Sequence, residues 1–251
     1  MYLSFSFFSL DARLEILAAS FFVTMSIYTL NKKTDMEEDA INMPERKKFA
    51  ESKAIVPLSL FSYAAAITLG GVERRIFIFI LLIPLFAGFV YGIKIGGIRL
   101  KDIFLMKNMV IAISCASVAI MPFFYSFDYI KLLFIYSFFF MKLFLNTVVF
   151  DTRDVEGDRL NNIRTIPVRL GIEKTKRTLH IINISIFLLI IAGAFHGIFA
   201  KYLPVLLFSI MYAHLYIHFS DRMPKGAYDF VVDGEWIYLA TMVFAFNNFI
   251  Y

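Results

Sequence analysis

The sequence predicts an all-α polytopic membrane protein, with about eight transmembrane helices bundled around a central cavity and loops capping one end. The first observation is composition: 59% of the 251 residues are hydrophobic and 18% are charged, whereas a soluble domain is about half apolar and a quarter charged. The second is distribution, because the charged residues are concentrated between long apolar segments. No stretch alternates as a membrane β-strand does, so the spans are predicted to be helices.

The predicted spans follow from the apolar segments in chain order. Several are 17 to 19 residues long, near the lower end of what crosses a hydrocarbon core of about 30 Å. The segments are 12–30, 54–70, 76–93, 108–125, 129–149, 180–200, 202–219 and 235–251.

Basic residues predict the orientation. The loops at 31–53, 94–107, 150–179 and 220–234 contain nineteen of the 25 Lys and Arg residues, and the opposite side contains five. Such loops remain in the cytoplasm by the positive-inside rule. We therefore expect an integral protein of the cell membrane, with these loops in the cytoplasm and both termini outside. Lys142 is left within a predicted span.

Several classes of function are excluded or not implied. The net charge of +5 follows membrane topology, so it does not indicate nucleic-acid binding. The single cysteine, Cys115, allows neither a disulfide framework nor a zinc site with four cysteines. The chain has no G-x-x-x-x-G-K-[ST] motif, so ATP is not implied.

Two of the long loops contain acidic clusters that correspond to each other. The first reads NKKTDMEEDAINMPER from residue 31, and the second reads DTRDVEGDRLNNIRTIP from residue 151. A shift of 119 residues places Asp35 on Asp154 and Asp39 on Asp158. This indicates an internal duplication of a helical unit. The pseudo-repeats are about 12–128 and 129–251, within a single domain of residues 1–251.

The spacing of the acids suggests a metal-held anion. Asp35 and Asp39 are four residues apart, as are Asp154 and Asp158, which places each pair on one helix face or on its last unwound turn. Stacked carboxylates repel unless a cation compensates, and hard oxygen ligands suit Mg²⁺ or Ca²⁺. Because Mg²⁺ is usually held by one or two carboxylates together with substrate phosphates, the two clusters are suited to a bridged diphosphate.

Basic residues near the acids are candidate ligands of that anion, since Arg grips phosphate bidentately and Lys supplies point charge. For any single Lys, an ordinary topology signal remains the alternative. The candidate diphosphate-binding residues are Arg46, Lys48, Tyr91, Lys94, Lys101, Lys107, Arg159 and Arg164.

The motifs resemble the two signatures of the UbiA superfamily of intramembrane prenyltransferases. Asn31-x-x-x-Asp35-x-x-x-Asp39 is similar to the first, and Asp151-x-x-Asp154-x-x-Gly157-Asp158 to the second. The stretches RLKDIFLMKN and VVDGEW are also similar to family members. The resemblance implies that aspartates chelate Mg²⁺ on a prenyl diphosphate, whose isoprenoid tail runs into a tunnel among the helices. The expected metal set is Asn31, Asp35, Asp39, Asp151, Asp154 and Asp158, and the expected catalytic residues are Asp35, Asp39, Asp154 and Asp158.

The expected function is Mg²⁺-dependent transfer of a prenyl group to a lipophilic acceptor, a quinone precursor or a glycerophospholipid precursor, with release of diphosphate. An ion-binding membrane transporter and a non-catalytic relative are the alternatives. Two departures accompany the resemblance. Family members usually have nine spans and the first motif closes the second, whereas here it closes the first. The 119-residue shift also places Phe150 at the position of Asn31, so Asp151 is the expected substitute.

Overall fold

The computed structural model describes residues 1–34, 51–92, 94–95, 98–99 and 103–250. Helices dominate the described chain. In order they are α1 Tyr2–Phe7, α2 Leu14–Thr34, α3 Ile55–Glu73, α4 Arg75–Gly92, α5 Met106–Ala119, α6 Phe123–Ser126, α7 Tyr129–Arg153, α8 Val155–Leu160, α9 Ile166–Leu170, α10 Ile172–Phe195, α11 Leu203–Phe219 and α12 Gly234–Ala245.

Shorter pieces complete the chain between and after these helices. A 3₁₀ turn at Ala200–Tyr202 precedes α11, and π-helical turns at Asp229–Asp233 and Phe246–Ile250 flank α12. Strands β1 Lys94–Ile95 and β2 Ile98–Arg99 form a two-residue antiparallel ladder in the connection that follows α4. Apart from this short ladder the described chain is helical, and the prediction of a helical membrane bundle is confirmed.

Six helical stretches in the described part are long and apolar enough to cross a membrane: Leu14–Lys33, Ile55–Glu73, Met106–Ser126, Tyr129–Arg153, Ile172–Phe195 and Ala200–Phe219. The predicted segment 76–93 is also a helix, with Pro84 inside it and a shorter apolar stretch at Arg75–Phe89. The predicted segment 235–251 is divided between α12 and the π turn after it. The chain is an integral membrane protein.

Two apolar clusters hold the bundle together. One joins α1, α2, α3 and α4 around Phe5, Ile16, Phe77 and Leu81. The larger one is built around α7 and includes side chains from α10, α11 and α12. The start of α7 is fixed by a cap, because the Asp128 carboxylate accepts a hydrogen bond from the backbone N–H of Lys131 at 3.0 Å. Helix α7 lies at the centre of this second cluster.

The interval 150–179, predicted to be a loop, is largely helical. It contains the end of α7, then α8, α9 and the beginning of α10. The apolar residues Ile163 and Ile166 are buried there, so this segment folds back onto the bundle. Gly171 joins α9 to α10 with φ +79° and ψ 162°, a conformation that essentially only glycine adopts. The sequence prediction missed these short helices because each buries only a few apolar side chains.

Candidate functional site

A cavity of about 930 Å³ lies among α2, α4, α5, α7 and α12. We call it the central cavity. Its long wall is apolar, and side chains such as Phe21 and Ile27 of α2 and Phe139 and Leu143 of α7 line it. Its polar lining includes Asp151, Asp154 and Asp158 of the second acidic cluster. The cavity therefore combines an apolar chamber with a highly charged region.

Side chains on one face of α7, together with Asp154 directly after it, connect the two regions. Phe139, Leu143, Thr147, Phe150 and Asp154 all line the cavity, and they follow one another at intervals of three or four residues. Side chains at this spacing share one helix face. At 1.5 Å per residue, this row of side chains extends about 22 Å along the helix from the first aromatic ring to the last carboxylate.

The three aspartates gather where α7 gives way to α8. Asp151 is on the last turn of α7, Asp154 lies between the helices, and Asp158 is on α8. Asp151 and Asp158 are buried, and the side chain of Asp154 is 17% exposed. The sequence predicted that Asp154 and Asp158 share one helix face or the unwound last turn of a helix. In the structure Asp154 instead lies at the break after α7 and Asp158 on the next helix, α8.

Lys107 compensates two of these carboxylates. Its Nζ is 2.8 Å from a carboxylate oxygen of Asp151 and 3.3 Å from one of Asp158. The neighbouring Asn108 donates from Nδ2 to the other oxygen of Asp151 at 2.7 Å. Both residues stand on the first turn of α5, which follows Leu105 in a left-handed conformation with φ +67°. This backbone conformation is uncommon and costs energy in a non-glycine residue, and it sets the direction in which α5 extends from the preceding segment.

Arg153 compensates the third carboxylate. Its Nε and one terminal nitrogen each donate to a different oxygen of Asp154 at 2.8 Å, and the other terminal nitrogen donates to Asp229 at 3.1 Å. The guanidinium carbon lies 4.9 Å from the centre of the Phe150 ring and 5.7 Å from that of Tyr228. A planar fork of this kind fixes the orientation of a carboxylate as well as neutralising it.

The electrostatic balance of the site favours additional positive charge. Burial raises the pKa of the Asp158 carboxyl to about 7, with Asp151 and Asp154 acting in the same direction and Lys107 opposing them. A raised carboxyl pKa means that the charged form is costly in this place. A bound cation would lower that cost.

The structure brings some predicted site residues together and leaves others apart. Asn31 lines the cavity, as does Phe150, the residue that the 119-residue shift places opposite it. Lys107 is also at the cavity, whereas Arg159 and Arg164 are exposed and do not line it. The two aspartates of the first motif and several basic candidates lie outside the described residues or have side chains that are not described: Asp35, Asp39, Arg46, Lys48, Tyr91, Lys94 and Lys101.

Four residues at or beside the acidic end of the cavity were not assigned to the site from the sequence. Arg153 was an unassigned position between two aspartates, and Asn108 is the neighbour of a residue that was predicted. Asp229 and Asp233 also line the cavity, and they are four residues apart as in the predicted acidic pairs. Charge adjacency and repeated spacing were the available signals, but contact with the cavity depends on the tertiary fold.

The donor set is compatible with Mg²⁺ held jointly with a ligand. Asp154, Asp158 and Asn31 offer hard oxygen atoms at the cavity, which are the donors that Mg²⁺ prefers. Within the part of the chain that the structure describes, no three His, Cys, Asp or Glu residues form a group that could hold an ion. Mg²⁺ commonly takes its remaining ligands from substrate phosphates and water.

Comparison with known families decides the identity. The profile of the UbiA prenyltransferase family matches residues 1–231. The chain belongs to the UbiA prenyltransferase family. A comparison with curated proteins finds no match.

Two solved structures share the fold of this UbiA-family chain. A UbiA homolog from Archaeoglobus fulgidus bound to DMAPP and Mg²⁺ has a TM-score of 0.64 at 15% identity, and the match covers 94% of this chain and 87% of the other. A UbiA homolog from the same organism bound to GPP and Mg²⁺ gives 0.62 at 14% identity with the same coverage. At such identities the likeness concerns the fold.

Proposed function

We propose that this UbiA-family chain transfers a prenyl group from an isoprenyl diphosphate to a lipophilic acceptor in a Mg²⁺-dependent reaction that releases diphosphate. The observation that carries the proposal is the junction of an apolar cavity of about 930 Å³ with Asp151, Asp154 and Asp158. Such a chamber suits an amphiphile with a long apolar tail and a polyanionic head. The proposed acceptors are a quinone precursor or a glycerophospholipid precursor.

In the proposed complex the diphosphate lies at the acidic end of the cavity. Asp154 and Asp158 would hold it through Mg²⁺, with Asn31 and Asp151 beside them and Asp35 and Asp39 contributing from the first motif. The ligands named for the two Archaeoglobus fulgidus structures, DMAPP or GPP with Mg²⁺, support this assignment. When bound, Mg²⁺ would supply positive charge that stabilises the leaving diphosphate.

Besides pairing with the aspartates, Lys107 and Arg153 are proposed to stabilise the leaving diphosphate. Both hold carboxylates in ion pairs, and their charges lie within the region where a diphosphate would sit. As the bond between carbon and oxygen breaks, negative charge grows on the leaving group. Cationic groups already positioned there favour the transition state over the ground state. We assign Lys107 and Arg153 to this role.

The remaining basic candidates are proposed to act from around the site. Arg159 and Arg164 are exposed, so they would raise the local concentration of a diphosphate by electrostatic attraction. The other proposed diphosphate ligands are Arg46, Lys48, Tyr91, Lys94 and Lys101.

The apolar chamber has a chemical as well as a binding purpose. Loss of diphosphate from an allylic substrate leaves a carbocation that water would trap. Apolar walls such as Phe139, Leu143 and Phe150 exclude water from the bound chain and leave the acceptor as the available nucleophile. The acids sit at one end of α7, whereas a transporter would place them along a path near the midplane.

A binding and turnover experiment tests the proposal. Purified protein is given labelled geranyl diphosphate and a lipid extract as acceptor, with MgCl₂ or with EDTA. We expect Mg²⁺-dependent binding and a prenylated lipid visible by mass spectrometry. Asp154→Asn and Asp158→Asn should each lower transfer by about 100-fold, the usual scale for removing a group that stabilises the transition state.

The matched control is Glu156→Gln. Glu156 lies between the two aspartates, but its side chain is 80% exposed and it does not line the cavity, so transfer should be unchanged. Equal activity in all three variants would contradict the assignment. Binding without turnover on any acceptor would favour a non-catalytic relative, and ion flux across proteoliposomes without diphosphate release would favour a transporter.

We also propose that eight segments span the membrane and that the acidic end faces the cytoplasm. The test uses a Cys115→Ser background, in which a new cysteine is the only thiol. Glu156→Cys and Phe127→Cys both introduce an exposed position. A membrane-impermeant maleimide on intact cells should label the second and spare the first, and the reverse pattern would overturn the orientation.

A further inference from the structure

A fully buried ion pair lies inside the bundle, outside the acidic site. Lys142 of α7 and Glu235 of α12 approach to 2.7 Å between Nζ and Oε1, and both side chains are 0% exposed. Ser209 and Tyr216 of α11 also donate hydrogen bonds to the Glu235 carboxylate. Three helices therefore converge on one carboxylate.

Such a pair needs an explanation, because the attraction between two buried charges often fails to offset the cost of removing both from water. Apolar side chains of similar volume usually give equal or greater stability in the same place. Ionisable residues within membrane spans are correspondingly rare and are by default associated with function. Neither Lys142 nor Glu235 lines the central cavity, so any function must act through a neighbour.

The neighbour is Trp236, the only tryptophan of the chain. The Asn146 amide, oriented to satisfy all of its partners, donates to the Tyr216 hydroxyl at 3.0 Å and to the Lys142 carbonyl at 3.2 Å. Its oxygen then accepts the indole N–H of Trp236 at 3.1 Å. The same Tyr216 hydroxyl donates to Glu235. A continuous chain of hydrogen bonds thus links the ion pair to the indole.

Trp236 forms part of the apolar wall. Its ring stacks on that of Phe139, with centroids 5.8 Å apart and planes inclined by 14°, and both residues line the central cavity. Asn146 lies on α7, eight residues before Asp154, which directly follows that helix; this spacing is about 12 Å along the helix axis. The indole is therefore held well below the acidic end, at a depth that only the tail of a bound prenyl diphosphate would reach.

We propose that Lys142 and Glu235 are positioning residues, which hold Trp236 through Asn146 as the surface that binds the isoprenoid chain. The inference rests on the proposed function and adds a specificity element to it. An indole can rotate about two side-chain bonds, and the hydrogen bond to Asn146 selects one orientation, flat against Phe139. Fixing the ring before the substrate arrives reduces the ordering cost of binding.

Tryptophan fluorescence tests the proposal directly, since Trp236 is the only tryptophan. Wild-type protein in MgCl₂ is titrated with geranyl diphosphate and, separately, with inorganic diphosphate, and calorimetry follows binding of each. We expect geranyl diphosphate to shift or quench the emission and inorganic diphosphate to bind without changing it. If both bind and neither changes the emission, the proposal is overturned while the proposed function stands. If neither ligand binds, both fail.

Variants separate positioning from simple packing. Asn146→Leu removes the partner of the indole N–H, and the double variant Lys142→Met with Glu235→Gln removes both charges while keeping similar volumes. We expect each to shift the emission maximum and to weaken geranyl diphosphate binding about tenfold, with the affinity for inorganic diphosphate unchanged. Asn146→Leu leaves the ion pair in place, so it carries the test if the double variant does not fold.

The control is Asn183→Leu. Asn183 is another buried asparagine between helices, which donates to the Ile210 carbonyl at 3.0 Å and does not line the cavity. It should destabilise the fold without changing the emission or the geranyl diphosphate affinity. If folded Asn146→Leu keeps wild-type emission and affinity, the network has only a structural role and the proposal is wrong.

Discussion

The ammonium group of Lys107 lies between two buried carboxylates, 2.8 Å from Asp151 and 3.3 Å from Asp158. Arg153 neutralises the third aspartate in a similar way. Each of the three aspartates is therefore already paired with a cation that belongs to the protein, although the pairing compensates their charge only in part. A divalent ion on its own would have to displace them, whereas an ion that arrives with a diphosphate offers each of them a new anionic partner.

Lys107→Met is predicted to have two opposite effects. Removing the cation leaves Asp151 and Asp158 without their main compensation, so the free energy of unfolding should fall by about 3 kcal/mol and prenyl transfer by about 100-fold. Millimolar MgCl₂ alone should then stabilise the variant more than the wild type, as read from thermal unfolding. Lys225→Met is the control, because among the described residues Lys225 pairs with the exposed Glu156 at 3.9 Å. Wild-type stability in Lys107→Met would contradict this view of the ion pair.

Arg153→Lys is predicted to weaken the site while keeping its charge. A lysine cannot reproduce the two parallel hydrogen bonds to Asp154 and the third to Asp229. A lost hydrogen bond to a charged group is worth about 1.5 kcal/mol or more, so transfer from geranyl diphosphate should fall at least about tenfold. The exposed Arg177 provides the matched change, Arg177→Lys, which should have no effect. Equal rates in the two variants would remove Arg153 from the site.

Gly88 allows the cavity to be filled without disturbing its walls. It lines the cavity, and a Cβ added there meets nothing within 4 Å. Alanine favours a helix interior over glycine by about 1 kcal/mol, so Gly88→Ala should be as stable as the wild type or more so. Gly88→Leu should lower kcat/KM for geranylgeranyl diphosphate relative to dimethylallyl diphosphate, and Gly88→Ala should do so less. An unchanged ratio across this series would show that the chain binds elsewhere.

Gly171→Ala tests how strongly the fold depends on the connection between α9 and α10. The backbone conformation of Gly171 is strained for any residue with a Cβ, at a cost of about 1 to 3 kcal/mol. We expect a loss of that size in the free energy of unfolding. Gly226→Ala is the control, since an added Cβ there also meets nothing within 4 Å and no positive φ is required. Equal stability of the two variants would show that α9 and α10 can join in another way.

Local pattern was sufficient for much of the fold and for part of the site. Long apolar segments can only be helices in a bilayer, so each predicted segment coincides with helical structure. The four-residue spacing of Asp154 and Asp158 marked both as candidate metal ligands. Asn31 was predicted to bind the same metal, and Lys107 was predicted to bind the diphosphate. The eight-span count, the cytoplasmic orientation and the two pseudo-repeats stay predictions.

The partners of these residues could not be predicted, because they are set by tertiary contacts. Asn108 and Asp151 are 43 residues apart in the sequence, and nothing local links them. Lys142 was visible as a charge within a span, which implies a partner. That the partner is Glu235, and that Asn146 continues the network to Trp236, depends on how α7, α11 and α12 pack.

The most direct test of the account is to locate the metal and the diphosphate. An experimental structure with geranyl diphosphate and Mn²⁺ in place of Mg²⁺ would reveal the ion by its anomalous scattering. We predict Mn²⁺ at Asp154 and Asp158, directly or through water, with the diphosphate beside Lys107 and the geranyl chain running along α7 toward Trp236. A diphosphate bound away from these aspartates, for example on the exposed arginines Arg159 and Arg164, would contradict the account.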